Sequence, residues 1–188
     1  MVSLSAGALT VRYSKSGDRL SHTIGIVGGD SYLPLLESIE GSPEEPWPPS
    51  PPMQQMVSES FTPGANPVLL GVGLSGNGHW SSAIETKHSR LLKFDIACKN
   101  SKSSNWLGSE YRLLSPAQSG TRPDTIAFVL ESKEHVANRK YARIEFAVTT
   151  GELAFSAIEH RIRVVPKSDP ASTQTHRWCY EITLFDGG

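Results

Sequence analysis

The sequence predicts an all-β domain: an antiparallel β-sandwich or flattened barrel of about eight to ten strands. Three observations carry this. Apolar and polar residues alternate through one short run after another. Turn-forming residues separate those runs at fairly regular spacing. Helical periodicity is too scarce to supply the crossovers a parallel sheet needs.

The runs follow in order. "ALTVRYS" sets Leu9, Val11 and Tyr13 on one side, and "SHTIGIV" keeps Ile24 and Ile26 in step. "SYLPLLESIEG" and "MQQMVSES" are the two stretches with helical spacing. Gly41 would end the first, and Met53, Met56 and Val57 align in the second. Each is expected as a short helix covering an open end of the fold. "PVLLGVGL" is apolar nearly throughout, the pattern of a strand buried on both faces. Gly76-Asn77-Gly78 is a turn signal. After it, "HWSSAIETK" opposes Trp80, Ser82 and Ile84 to His79, Ser81, Ala83 and Glu85. "RLLKFDIACK" opposes Leu92, Phe94, Ile96 and Cys98 to Lys93, Asp95, Ala97 and Lys99. "SEYRLL", "DTIAFVLE", "KYARIEFAVT", "ELAFSAIEHRIRVV" and "RWCYEITLF" complete the set.

One hairpin can be given a register. In "RIEFAVTTGELAFSA", Thr150-Gly151 suits a tight turn. Pairing Val148 with Leu153 then sets Phe146 opposite Phe155 and Ile144 opposite Ala157, with one face wholly apolar. Past Ala157 the phase flips, which predicts a β-bulge near Ala157 or Ile158. Asn66-Pro67 and residues 166–175 read as loops.

The 188 residues fit one domain, 1–188, with an acidic, proline-rich excursion over residues 28–67. With 38% hydrophobic and 20% charged residues the composition is that of an ordinary soluble domain. A net charge of −1 argues against nucleic acid and anionic membrane as partners. The charge is uneven: residues 20–86 hold no Lys or Arg, and residues 133–177 are mildly basic. These runs are solvated faces, or surfaces that face each other within the fold. Cys98 and Cys179 sit in apolar alternating runs and are expected as buried thiols. The N-terminus lacks a secretory pattern, and no apolar run approaches the roughly 18 residues of a spanning helix. A cytoplasmic location is expected.

Five prolines between Pro46 and Pro52 favour a polyproline II rod. It is either bait for a protein partner or a wall of the domain. The flanking Glu44 and Glu45 do not suit an SH3-type ligand, and Trp47 and Met53 favour the wall.

Catalytic and cofactor signatures are absent. There is no GxSxG, HExxH or CxxC, and "GIVGGD" and "GVGLSGNG" lack the Lys-Ser/Thr of a phosphate loop. No metal or cofactor is expected. The candidate ligand-binding residues form two constellations: His79, Trp80 and Glu85 at a strand mouth, and Tyr141, Glu145 and His160 across the hairpin. Arg143, Arg161 and Arg163 form a candidate anion patch, since arginine binds anions bidentately. Trp47 and Trp106 are candidate partner contacts. The expected function is a cytoplasmic binding or interaction module without catalytic apparatus. The alternative is a small-ligand-binding protein or enzyme with its pocket at one of the constellations.

Overall fold

The structure, a computed structural model, describes residues 1–114, 118–122, 124–129, 135–136 and 139–186. Lys133, where the basic run begins, and the end of "DTIAFVLE" lie outside the described residues. Sixteen strands run through the described residues. They are β1 (Val2–Ala6), β2 (Leu9–Ser16), β3 (Arg19–Gly28), β4 (Ser31–Ser38), β5 (Gln55–Glu59), β6 (Val68–Ser75), β7 (Gly78–His88) and β8 (Leu91–Asn100). Then come β9 (Ser109–Leu113), β10 (Gln118–Arg122), β11 (Thr125–Val129), β12 (His135–Val136), β13 (Arg139–Thr150), β14 (Glu152–Ser156), β15 (Arg161–Val165) and β16 (Thr175–Asp186). One sheet has seven strands in the order β1-β2-β3-β4-β9-β15-β14. The other has nine, β10-β11-β13-β16-β8-β7-β6-β5, with β12 added beside β13. The pairings are antiparallel, and the two sheets pack as a β-sandwich. The number of strands exceeds expectation because short strands extend both sheets and the proline-bearing region contributes β4 and β5. No helix occurs among the described residues, so none is long and apolar enough to cross a membrane.

The alternating runs build the core. Leu9, Val11, Ile24 and Ile26 face inward from one sheet, and Trp80, Ile84, Leu92 and Phe94 from the other. Both cysteines are buried free thiols. Four expectations need correction. "SYLPLLESIEG" is not a helix but β4. Its register against β3 slips between Ile24 and Gly25, leaving Leu35 as an extra residue opposite none. That bulge buries the neighbours Leu35 and Leu36 together and so imitates helical spacing. "MQQMVSES" is the edge strand β5, not a helix, with Met56 turned onto the core. "PVLLGVGL" is β6, buried on one face only; Val72 and Leu74 are exposed.

The fourth correction concerns the hairpin. β13 and β14 do not pair. Both edges of β13 are occupied, by β11 and β16, so β14 has no place beside it. The chain instead crosses to the other sheet at Gly151, whose φ is +119°. A side chain there would strike the Val165 carbonyl, so the crossing needs glycine. β14 pairs with β15 through the turn at residues 157–160. That turn, not a bulge, accounts for the change of phase. It leaves Ile158 exposed and holds His160 at φ +51°.

Residues 39–54 form a wall of the sandwich. Pro48, Ser50, Pro51, Pro52 and Met53 are buried. The segment runs on from β4 past the start of β9. Ile39 N donates to Glu110 O at 2.9 Å, and Ser50 Oγ donates to the same carbonyl at 2.8 Å. Leu20 N donates to Met53 O at 2.7 Å. Gly73, Gly76 and Gly78 stand where side chains would collide with Pro52, Pro46 and Trp47. A non-specific protease is therefore expected to cut the exposed residues 59–66 well before residues 46–54, as mass spectrometry of early fragments will read. Trp47 is half-buried, so Trp47→Ala is expected to cost about 1–2 kcal/mol in denaturant unfolding, less than a fully buried ring. Unchanged unfolding would sever the ring from the fold.

Candidate functional site

The two polar constellations are not assembled. His79 is exposed at the start of β7, and Glu85 lies on the same outer face roughly 20 Å along the strand, its carboxylate 2.6 Å from Lys87 Nζ. Trp80 points the other way, into the core, 2% exposed. Tyr141 and Glu145 belong to β13, with Tyr141 in register with Asp186 rather than with His160. His160 sits in the exposed turn of the opposite sheet, where its carbonyl accepts from Leu113 N at 2.8 Å. The three arginines also divide. Arg143 lies on the outer face of one sheet, 3.3 Å from Glu145 and 4.3 Å from the Phe185 ring centroid. Arg161 and Arg163 lie on the outer face of the other. No ion pair among the described residues joins the acidic run to the basic one.

Between the sheets lies a polar cluster that alternation alone did not reveal. Tyr111 OH bonds His22 Nε2 at 3.0 Å and Tyr180 OH at 2.5 Å. His22 stacks on Tyr13 at 4.6 Å. Burial raises the pKa of Tyr13, Tyr111 and Tyr180 and lowers that of His22 to about 3, so the cluster is neutral around pH 7. The adjoining cavity measures about 10 Å³, room for one water at most. This is a core network, not a pocket. Nor is Cys98 a nucleophile: burial pushes its thiol up to about 12. His176 Nδ1 lies 2.7 Å from Ser168 Oγ and its Nε2 3.0 Å from Ser172 O. That ring is fully buried and braces the loop before β16. Among the described residues no three His, Cys, Asp or Glu side chains could hold a metal ion.

The structure does bring Trp47 and Trp106 to one place. They line a groove of about 350 Å³ with Glu45, Pro49, Glu110 and Arg163. Residues 39–54 carry one wall, and β9 and β15 carry the other. Trp106 Nε1 donates to Pro49 O at 3.3 Å, which ties the two walls together. Gly78 leaves room for the Trp47 ring edge, and Gly108 does the same for Trp106. Each indole is thus held yet half-exposed. Glu110 is directly opposite Arg163 in the β9–β15 register. Its Oε1 accepts from Arg163 Nε at 3.1 Å and from Arg161 Nη1 at 3.0 Å. The Arg163 guanidinium lies 5.8 Å from the Trp106 ring centroid, within cation–π range. Sequence reading singled out both tryptophans but missed Glu110, Glu45 and Pro49. Glu110 carried no legible signal: it alternates with Tyr111 in phase with Arg112, as an outward-facing carboxylate would, in "SEYRLL".

No family model matches the chain, and no curated protein matches it in sequence. Solved structures do resemble it. A mutant of heparan sulfate lyase HepC from Pedobacter heparinus superposes with TM-score 0.56 at 10% identity, over 97% of this chain and 36% of the lyase. A second crystal structure of that lyase gives TM-score 0.51 at 8% identity, over 100% and 37%. A heparinase III structure gives TM-score 0.51 at 9% identity, over 98% and 35%. The chain thus spans just over a third of the length of these enzymes. At such identity the likeness establishes the β-sandwich fold.

Proposed function

We propose that this chain is a non-catalytic glycan-binding module and that the Trp47–Trp106 groove is its recognition site. One observation carries the reading: two half-exposed indoles, each held at one edge, share an open groove with carboxylates and a guanidinium. Sugar rings present C–H faces that pack on aromatic rings, and vicinal hydroxyls bond carboxylate or guanidinium groups in pairs. A concave site with apolar walls and a few fixed polar groups is the general form of a small-ligand site. The structural relatives are named for enzymes of a polysaccharide, heparan sulfate, which agrees with a glycan context for this fold. A proline-reading protein partner is less well supported, because Pro48, Pro51 and Pro52 are buried.

Binding is measured by quenching of tryptophan fluorescence, using oligosaccharides selected on a glycan array. Trp106→Ala is expected to weaken binding by about tenfold or more, the factor that 1.4 kcal/mol of lost contact gives. Its effect on unfolding is expected to resemble that of Trp47→Ala, about 1–2 kcal/mol, which leaves the chain folded at the temperature of the binding measurement. A chain that binds no glycan, or that keeps full affinity without Trp47 and Trp106, overturns the proposal.

A further inference from the structure

We infer that the groove selects uncharged sugars and rejects sulfated or uronate-bearing chains. The inference rests on the glycan reading above and narrows it. It comes from charge balance around the groove. The guanidinium that faces the groove, Arg163, and its neighbour Arg161 share a single acceptor, Glu110 Oε1. Arg163 Nη2 also lies 3.8 Å from Glu159 Oε2. Glu45 adds a further carboxylate on the other wall. Three carboxylates therefore surround two guanidiniums, and Arg112, the next cation along β9, is 3.8 Å from Glu37. A polyanion is held by cations in surplus, whose charge is not already met by the protein. Here the cations are met before any ligand arrives. An anionic sugar reaching the remaining N–H groups of Arg163 would gain little net attraction, because the buried Glu110 carboxylate stays beside both guanidiniums and Glu159 and Glu45 stand nearby.

A neutral sugar faces no such barrier. Both arginine bonds fall on Oε1 of Glu110, which leaves Oε2 to accept from a sugar hydroxyl. The remaining guanidinium N–H groups of Arg163 can donate to the neighbouring hydroxyl, and the indoles take the C–H face. In this arrangement Glu110 decides specificity: its charge cancels the arginines while its free oxygen reads hydroxyls.

Calorimetric titration with neutral hexasaccharides of glucose, mannose, xylose and galactose, and with a heparin hexasaccharide, tests this on the wild-type chain. At least one neutral hexasaccharide is expected to bind, with heparin at least about tenfold weaker. Glu110→Gln keeps an acceptor for the arginines but removes the cancelling charge. It is expected to raise heparin affinity at least about tenfold, and added salt should erase the gain. Should Glu110→Gln fail to fold, Glu45→Lys, on an exposed lip, reverses a groove charge without touching a buried bond and is expected to act in the same direction. If wild type prefers heparin, and Trp106→Ala abolishes that binding, the inference is overturned while the groove remains the glycan site. If neither class of saccharide binds, both readings fall. If neither charge variant gains heparin affinity, charge balance is not what selects the ligand.

Discussion

Folding stability is expected to stay nearly level from about pH 5 to 9 and to fall below about pH 4.5, because two buried groups act in opposite directions and offset each other between pH 4.5 and 6.5. On the acid side the group is His22. Its ring is buried against Tyr13 and Phe94, and among the described residues only the Tyr111 hydroxyl is bonded to it, with no carboxylate partner. Burial disfavours the imidazolium and lowers the pKa from 6.5 to about 3. A depressed folded pKa means the unfolded chain takes up the proton first. The stability this group confers is complete above pH 6.5 and is lost as pH falls toward 3. The shift of roughly 3.5 units corresponds to about 5 kcal/mol. Asp95, whose pKa the Arg177 bond lowers, adds to the acid limb at still lower pH.

The opposing group is Glu40, at the point where residues 39–54 leave β4. Its Oε1 bonds Ser38 Oγ, while its Oε2 is buried without a partner among the described residues. Arg19 offers its guanidinium to Asp18 and to the Glu40 carbonyl rather than to the Glu40 carboxylate. Glu37, Tyr13 and Tyr111 are the other titratable groups that feel this carboxyl. Burial outweighs the Ser38 bond and the Arg19 charge and raises the pKa from 4.5 to about 7. A raised folded pKa means the folded chain holds the proton longer. The stability is complete below pH 4.5 and is lost as pH rises through 7. A shift of roughly 2.5 units corresponds to about 3 kcal/mol. Chemical denaturation across pH 3 to 9 reads the net curve. Glu40→Gln should remove the opposing term, so that stability rises by about 2 kcal/mol from pH 4.5 to 6.5 as the His22 contribution recovers. A wild-type curve that itself rises by about 2 kcal/mol from pH 4.5 to 6.5 would show that Glu40 is not buried as the fold places it.

The inward-facing residues were legible because period two is a local property. Leu9, Val11 and Tyr13, or Leu92, Phe94 and Ile96, need no knowledge of their partners to be sorted into a face. Partner choice is not local. The Val148–Leu153 register looked compelling because Phe146 and Phe155 matched, yet β13 has its edges filled by strands far away in sequence. Phe155 instead meets Phe128 from across the sandwich, with ring centroids 5.3 Å apart. Bulges hide for a related reason. Leu35 breaks the alternation of β4, and one extra residue in a strand is indistinguishable by spacing from the start of a helical turn. The groove was half legible. Trp47 among prolines and a lone Trp106 stood out as rings without a place in any strand. Glu110 acquired its role only through Arg161 and Arg163, some fifty residues later, once β9 and β15 paired. A constellation assembled by strand pairing cannot be read before the pairing is known.

Trp178→Ala is expected to cost the fold about 3–5 kcal/mol, the range for a fully buried large aromatic. Trp178 sits on β16, the strand between β13 and β8, and is fully buried. Its ring meets Trp80 edge-on at 6.0 Å. Its Nε1 reaches across the sandwich and donates to Ser109 Oγ on β9 at 2.9 Å. The indole is therefore both core volume and a strut between sheets. Truncation opens a cavity, removes the aromatic contact and leaves the Ser109 hydroxyl without its donor. Trp178→Phe separates these terms. It keeps most of the volume and the ring contact but loses the cross-sheet bond, for an expected cost of about 1–2 kcal/mol. Total stabilities of roughly 5–15 kcal/mol make the alanine loss a substantial fraction of the whole, a fall in melting temperature on the order of 10 °C. Urea unfolding at pH 6, where His22 and Glu40 subtract least, gives the cleanest comparison. An alanine loss below about 1 kcal/mol would mean that the sheets do not close on Trp178. Equal losses for alanine and phenylalanine would assign the whole effect to the bond with Ser109.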